Sequence, residues 1–315
     1  MFNYIVKRII QALLVIWAVV TLVFFLLRVV PGDPINAMLS SVDPSAADAV
    51  RQRLGLDQPI YVQYLIWVGN LFRGDLGNSI YGSNTPVGQI IGAALPRTLS
   101  LAFLSFVVAL IIAIPAGIIS AVKRNSWLDH AVTSVAFLGL SMPDFWLAML
   151  LILIFAVQLQ WLPAIGYEPL SAGFWPWLSH LILPSIAAGT AFAAIIARMM
   201  RSAMLEVMKA DYITVARSKG LSERGVVYRH ALRNALIPVI TVMGIAFALL
   251  MAGAVIIENV FAIQGLGRVL IQSILNRDYP VVQGAILVVS VIFVFINVLV
   301  DLVYPLVDPR IKLGA

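Results

Sequence analysis

Hydrophobic residues in this chain fall in long unbroken runs, not at an alternating or one-sided period. The runs occupy residues 9–30, 99–122, 131–157, 181–200, 236–257 and 281–304. Each is apolar around the full circumference of a helix, so a helix built from it has no face suited to water. A hydrocarbon core about 30 Å thick needs roughly 20 apolar residues in a helix, and every run reaches that length. One such run could be the central helix of a large soluble domain. Six in one chain predict an all-α integral membrane protein with six transmembrane helices. Lys7 and Arg8 precede the first run as they would in a secretory signal. That run is too long for a signal's apolar core, and no small-residue cleavage pattern follows it. It reads as an uncleaved first span, ending in a turn at Pro31-Gly32-Asp33-Pro34.

The polar positions between the runs set the orientation. Lys7 and Arg8 lie before the first run, Lys123 and Arg124 between the second and third, and Arg310 and Lys312 after the sixth. The loop between the fourth and fifth runs is the most basic, whereas residues 159–180 contain no Lys or Arg. Cytoplasmic loops carry the excess of Lys and Arg, so both termini are expected to be cytoplasmic. The large segment 31–97 is then periplasmic. It is nearly balanced, with five Asp and four Arg. Asp43-Pro44 is a helix start, running through Val50 and stopping near Gly55. Pro59 opens a stretch with Tyr61, Tyr64, Trp67 and Phe72, the residues of an interfacial helix. Gly74-Asp75-Leu76-Gly77 is a turn. Such a structured loop either only caps the outer mouth or also receives something from outside. The expected division is 1–93 for the first span and outer loop, 94–305 for a five-span core, and 306–315 for a cytoplasmic tail.

Composition agrees with the patterning: 61% of the 315 residues are hydrophobic, against roughly 45–50% in soluble domains. The net charge of +6 does not imply nucleic-acid binding, because membrane proteins gather their cations on one side. The absence of cysteine excludes disulfides, zinc–thiolate sites and a thiol nucleophile. Residues 77–84 have the glycine spacing of a phosphate loop but lack its lysine, so no nucleotide site is expected. Neither His-Glu-x-x-His nor Gly-x-Ser-x-Gly occurs. His130, His180 and His230 have no ligand spacing, so neither catalysis nor a metal is expected.

The stretch from Asp211 to Pro238 carries five basic residues, Arg217, Lys219, Arg224, Arg229 and Arg233. Residues 205–220 read as an amphipathic helix, with Leu205, Met208, Tyr212, Val215 and Ala216 on one face and Glu206, Thr214 and Arg217 on the other. Gly220 suits the position just past its C-terminus. Ser222 can cap a second short helix, on which Arg229 and Arg233 lie one turn apart. Positive-inside topology explains the charges alone. An apolar helix face outside the bilayer also needs a protein partner or the membrane surface.

Ala216-Arg217-Ser218-Lys219-Gly220, followed by Arg229-His230-Ala231-Leu232-Arg233-Asn234-Ala235, resembles the cytoplasmic coupling loop of ABC importer permeases. The branch is the one that carries dipeptides, oligopeptides, nickel and glutathione. The Glu-Ala-Ala signature would fall on Thr214, Val215 and Ala216, which keeps only its last alanine. Further stretches are similar to the branch: Pro31–Pro34, Leu54-Gly55-Leu56-Asp57-Gln58-Pro59, Gly74–Ser79, Ser141-Met142-Pro143 with Phe145-Trp146, Arg277–Gln283 and Asp308–Ile311. Gln264 departs from it, standing where proline usually precedes Gly-Leu-Gly.

The resemblance implies the type I ABC importer permease fold and no enzymatic activity. It implies an ATPase-docking loop carrying Tyr212, Ala216, Arg217, Lys219, Gly220, Leu221, Arg229 and Arg233. The implied partners are a second homologous permease forming a heterodimer, two cytoplasmic ATPase subunits and a periplasmic substrate-binding protein. Bilayer lipid surrounds the spans. No cofactor is expected in this chain; ATP and Mg would be bound by the ATPases. Small peptides or glutathione lead among the cargoes, with nickel complexes, opines or sugars as alternatives. An ATP-independent carrier or channel would tend to contain internal repeats, and none is evident.

Polar residues within spans default to functional hypotheses. Asp144, beside Pro143, is a candidate for the translocation path with Ser141 and Met142, or else pairs with a neighbouring helix. Glu258 and Asn259 are candidates for an outer gate, or form an interfacial cap. Asp301 is expected to pair with a loop cation, and Arg28 and Arg198 to snorkel toward the interface.

Overall fold

The structure, a computed structural model, describes residues 2–29, 57–81 and 84–307. The turn expected at 31–34, the helix expected from Asp43, Gly82 and Ser83, and the tail from 308 lie outside those residues, as does the side chain of Asp301.

Among the described residues, five helices are long and apolar enough to cross a membrane. They are α1 (Phe2–Val29), α3 (Val87–Val122), α6 (Phe174–Val207), α8 (Leu232–Val260) and α10 (Tyr279–Val307). The third apolar run departs from the expectation of one continuous span. It forms α4 (Trp127–Ser141) and α5 (Asp144–Leu151), which continues as a π-helical stretch, Ile152–Gln158. The two halves meet at 100°. Proline has no N–H and pushes the residue before it out of the helical region. Met142 accordingly is extended, at φ −87° and ψ 126°. Pro96, Pro115, Pro184 and Pro238 lie inside helices that continue through them. Short helices α2 (Ile60–Phe72), α7 (Asp211–Ser218) and α9 (Leu266–Leu275) complete the set.

The bundle is organised on α6, which packs most extensively against α3 and next against α8. Lipid tails are as apolar as leucine, so spans associate by close packing of small residues. That seam is visible in Ala109 and Ala113 of α3 facing Ala193 and Ala197 of α6, all buried. A Cβ on Gly117 would lie 2.6 Å from the Cβ of Met200, and one on Gly189 would lie 2.6 Å from the carbonyl oxygen of Ser105. The two backbones approach that closely only because those side chains are missing.

On the flank, α1 packs against α10 and carries α2 on an aromatic cluster. Phe24 is fully buried beneath Tyr64 and Trp67, at ring-centroid distances of 5.1 and 5.3 Å. Thr21 and Tyr64 share a hydrogen bond of 2.8 Å. Arg28, in the last turn of α1, meets α2. It donates to Gln63 Oε1 at 2.9 Å and its guanidinium lies 3.4 Å from the centre of the Phe24 ring.

The α4 N-terminus is tied to α3 and α6 by a buried ion pair. Arg201 donates from Nε and Nη2 to the two carboxylate oxygens of Asp129, both at 2.8 Å. Ser120 donates to the same carboxylate, and the backbone N–H of Asn125 does so at 2.9 Å. Removing one member of such a pair strands the other charge, at a cost of about 3–5 kcal/mol when both are buried. Here Asp129 is 3% exposed but Arg201 is 31% exposed. Asp129→Asn is therefore expected to cost about 2 kcal/mol, lowering the unfolding midpoint of the detergent-solubilised protein by roughly 5 °C. Adding Arg201→Gln should recover part of the loss, because no unpaired charge then remains. An unchanged midpoint in the single variant would rule out a stabilising role for the pair.

Candidate functional site

The basic loop is an ordered knob. α6 stops at Val207, a turn spans 208–210, and α7 starts afresh at Asp211. The single helix expected over 205–220 is therefore two, and the register resets between them. The buried residues of α7 are Ile213 and Ala216, whereas Tyr212 and Val215 are 43% and 52% exposed. The apolar face also differs from expectation in being covered. Ile213 and Ala216 join one core cluster with Val226, Val227 and Ala231 from the segment that follows. The loop thus closes on itself and on the ends of α3 and α6, whose Ile118, Ala121, Met200 and Met204 belong to the same cluster.

The end of α7 explains Gly220. Its N–H bonds to the Arg217 carbonyl at 2.9 Å, and the Leu221 N–H bonds to the Ala216 carbonyl at 3.4 Å. This is the Schellman closure, which needs a left-handed residue just past the helix, and Gly220 has φ +78°. Ser222 then caps the turn Glu223–Gly225, accepting from the Gly225 N–H at 3.3 Å. The π-helical stretch Val226–Ala231 leads without a break into α8. Two side-chain bridges hold the knob across its ends. Arg217 donates to Glu223 at 2.7 Å, and Asn234 donates to the Tyr212 hydroxyl at 2.8 Å.

Of the residues expected to dock, Tyr212, Arg217, Lys219, Gly220, Leu221, Arg229 and Arg233 are exposed on this knob, and Ala216 is buried beneath them. Leu221 is 45% exposed. Tyr228, 60% exposed, belongs with them, although no helical period singles it out. The arrangement sets Lys219, Arg229 and Arg233, and the Glu223-paired Arg217, around exposed Tyr212, Leu221 and Tyr228.

Glu258 and Asn259, adjacent in sequence, go separate ways. Asn259 is exposed and bonds back to the Val255 carbonyl. Glu258 is fully buried. Its carboxylate accepts from the Thr98 hydroxyl at 2.5 Å and from the Arg268 N–H at 2.9 Å. Thr98 in turn accepts from the Leu266 N–H at 2.8 Å. The pair caps the first turn of α9, where free N–H groups favour a negative charge. A Cβ on Gly265 or Gly267 would fall against this carboxylate, which accounts for the Gly-Leu-Gly spacing. Gln264, which departs from the family pattern, offers its carbonyl to Arg97 at 2.9 Å.

A second buried carboxylate, Asp278, joins two distant stretches. It accepts from the Ser79 hydroxyl and from the N–H groups of Ile80 and Tyr81, at 3.2 and 3.4 Å for the latter two. Hydrophobic periodicity gives no sign of it. The only signal was the presence of both stretches among the similar motifs.

Asp144 opens the first turn of α5, partly exposed at the break between α4 and α5. Among the described residues no hydrogen bond or ion pair holds its carboxylate. Met142 is partly exposed beside it, and Ser141 bonds to the Phe137 carbonyl at 2.8 Å. The three sit at one break in the bundle, well separated in sequence from the basic knob.

Comparison with known proteins gives a consistent result. The family description "Binding-protein-dependent transport system inner membrane component" matches residues 113–313. Its N-terminal counterpart matches residues 1–102. A Brucella abortus protein named as a peptide transport system permease is 48% identical over 311 residues, covering 98% of both chains. The glutathione transport system permease protein of Escherichia coli is 43% identical over 313 residues, covering 99% of both. The oligopeptide transport system permease protein of Bacillus subtilis is 40% identical over 315 residues, covering 98% of this chain and 99% of its own. Among solved structures, an inward-facing MetNI methionine ABC transporter superposes with a TM-score of 0.59 at 21% identity. The match covers 70% of this chain and 97% of that one, and it speaks to the fold alone.

Proposed function

The chain belongs to the family of binding-protein-dependent transport system inner membrane components, and on that premise we propose that it carries small peptides inward under the drive of ATP hydrolysed by partner subunits. Membership makes it a multi-pass inner-membrane permease, a transport subunit without catalytic activity of its own. The observation that carries the coupling reading is the self-closed knob at 211–234. Its buried residues need no partner, yet Tyr212, Leu221 and Tyr228 remain exposed among Arg217, Lys219, Arg229 and Arg233. This surface seats an ATPase subunit. Both termini and the knob face the cytoplasm, because Lys and Arg concentrate there. A second homologous permease completes a heterodimer, two ATPases bind ATP and Mg beneath it, and a periplasmic binding protein delivers cargo. The names of the peptide, oligopeptide and glutathione relatives support a peptide-like cargo.

The break at Ser141-Met142-Pro143 exposes Asp144 to the translocation path, where it attracts the amino terminus of the cargo. Glu258 braces the outer end, and Asn259 beside it remains the exposed member of the outer gate. An exposed charge pair is worth about 1 kcal/mol at 4 Å in a watery path, which is roughly fivefold in rate. Asp144→Asn is therefore expected to slow uptake of a dipeptide with a free amino group about fivefold and to leave its N-acetylated form unaffected. Equal uptake of the two forms by wild type and variant would remove Asp144 from the path.

The coupling reading is tested by co-purification. A tagged chain is expressed with the genes beside its own, extracted in mild detergent and assayed for ATP hydrolysis. Recovery of two ATPase subunits, with hydrolysis raised by cargo-loaded binding protein, is the expected result. No ATPase in the complex would make an ATP-independent carrier or channel the better reading.

A further inference from the structure

Between α4 and α6, on the same end of the bundle as the docking knob, lies a cleft of about 250 Å³. It exists because α6 places Ala194 and Ala197 there, too small to fill the space opposite Ala136. Its polar rim is Ser120, Thr133, Arg198 and Arg201. Arg201 is neutralised by Asp129. Arg198, one turn earlier on α6, is exposed, and among the described residues it has neither a hydrogen bond nor an ion pair. The cleft therefore presents one uncompensated cation. Val132 and Phe137 line its wall, with Phe137 56% exposed.

Apart from Val132, which stands level with Thr133, the polar and apolar linings are ordered along the helix axis. Arg201 and Arg198 stand at the end of the apolar run 181–200, and Ala194 lies roughly 6 Å deeper at 1.5 Å per residue. Phe137 likewise lies one turn further along α4 than Thr133. Charge at the interface with hydrocarbon beneath it matches an amphiphile with one anionic end. It does not match a zwitterionic peptide, which would need a charge partner at both ends. Basic pockets between spans on the cytoplasmic side are seats for anionic lipid head groups.

We propose that this cleft binds an anionic phospholipid of the inner leaflet, its phosphate on Arg198 and its acyl chain along Val132 and Phe137. The proposal rests on the cytoplasmic placement of this end of the bundle. It does not depend on ATPase docking, since its readout is bound lipid. At about 1 kcal/mol per surface cation toward an anionic lipid, loss of Arg198 should reduce retention about fivefold.

The test uses the assembled transporter equilibrated with mixed phosphatidylcholine–phosphatidylglycerol vesicles, extracted in detergent and analysed for retained phospholipid. Wild type is expected to keep phosphatidylglycerol in preference to phosphatidylcholine. Arg198→Gln should lose most of it, and Arg198→Lys should keep it. Lys123→Gln removes an equal charge from the same end of the bundle outside the cleft, and should change nothing. Equal retention by wild type and Arg198→Gln would overturn the site, as would equal retention of the two lipids. Displacement of phosphatidylglycerol by saturating dipeptide would overturn it too, and would assign the cleft to the cargo path. Competition by glycerol phosphate as strong as that by the lipid would show that the acyl wall contributes nothing, which also defeats the proposal.

Discussion

Gly220→Asp is expected to leave the chain folded and inserted but to uncouple it from its ATPase subunits. Gly220 has φ +78° and no atom within 4 Å of where a Cβ would stand. The new side chain meets nothing within its own chain, so the internal cost is the left-handed backbone alone, about 1–2 kcal/mol. Asp is among the residues that tolerate that conformation best. The cost outside the chain is larger. Gly220 sits between the exposed Lys219 and Leu221, at the tip where the knob would enter its partner. A carboxylate placed there is desolvated on docking and sits among contacts of the kind that carry 2 kcal/mol or more at an interface centre. A loss of about 2 kcal/mol corresponds to roughly 30-fold in affinity.

The measurement is recovery of ATPase subunits on the tagged permease, with transport into vesicles as the second readout. Gly220→Asn is the informative control. It adds the same bulk in the same backbone conformation without the charge, and should retain more coupling than the Asp variant. Full coupling in Gly220→Asp would mean that the tip of the knob does not enter a partner, and the cations there would serve topology alone.

Gly189→Val is expected to remove the folded protein altogether. The added Cβ would stand 2.6 Å from the Ser105 carbonyl oxygen and 3.4 Å from the Ala109 nitrogen. Both are backbone atoms, so no rotamer change relieves the contact. Either α3 and α6 separate or one bends, and theirs is the most extensive helix contact in the bundle. Overpacking a rigid core typically costs about 1–3 kcal/mol. The cost here should exceed that range, because close packing of small residues is what holds this α3–α6 seam together. The yield of monodisperse protein in detergent should fall more than tenfold, which about 1.4 kcal/mol is enough to produce. Gly92→Val makes the same change on α3 where nothing lies within 4 Å, and should behave as wild type. Normal yield from Gly189→Val would mean that the two helices are not in contact at that level.

Much of this protein was legible before any coordinates. The approximate positions of the spans follow from apolar run length, because the bilayer sets a length that every crossing helix must meet, whereas the break in the third run does not. The knob was readable as capped segments around Gly220, because caps are local chemistry: a hydroxyl, a left-handed residue and the next few N–H groups suffice.

What the periodicity could not yield depended on neighbours distant in sequence. Pro143 stands at a helix break and Pro184 lies inside a helix that continues through it. The face of α7 was misassigned because its cover, Val226 and Val227, arrives only after the chain has turned at Gly220. Arg28 finds Gln63 because the fold lays α2 on α1. Glu258 and Asn259 share one position in any linear pattern, yet Thr98 and the first turn of α9 capture the former and leave the latter exposed. Insertion into a membrane is decided residue by residue, by transfer from water to hydrocarbon, so the sequence alone determines it. The destination of a buried charge is decided by which donors the fold brings within about 3 Å, so only the tertiary structure decides it.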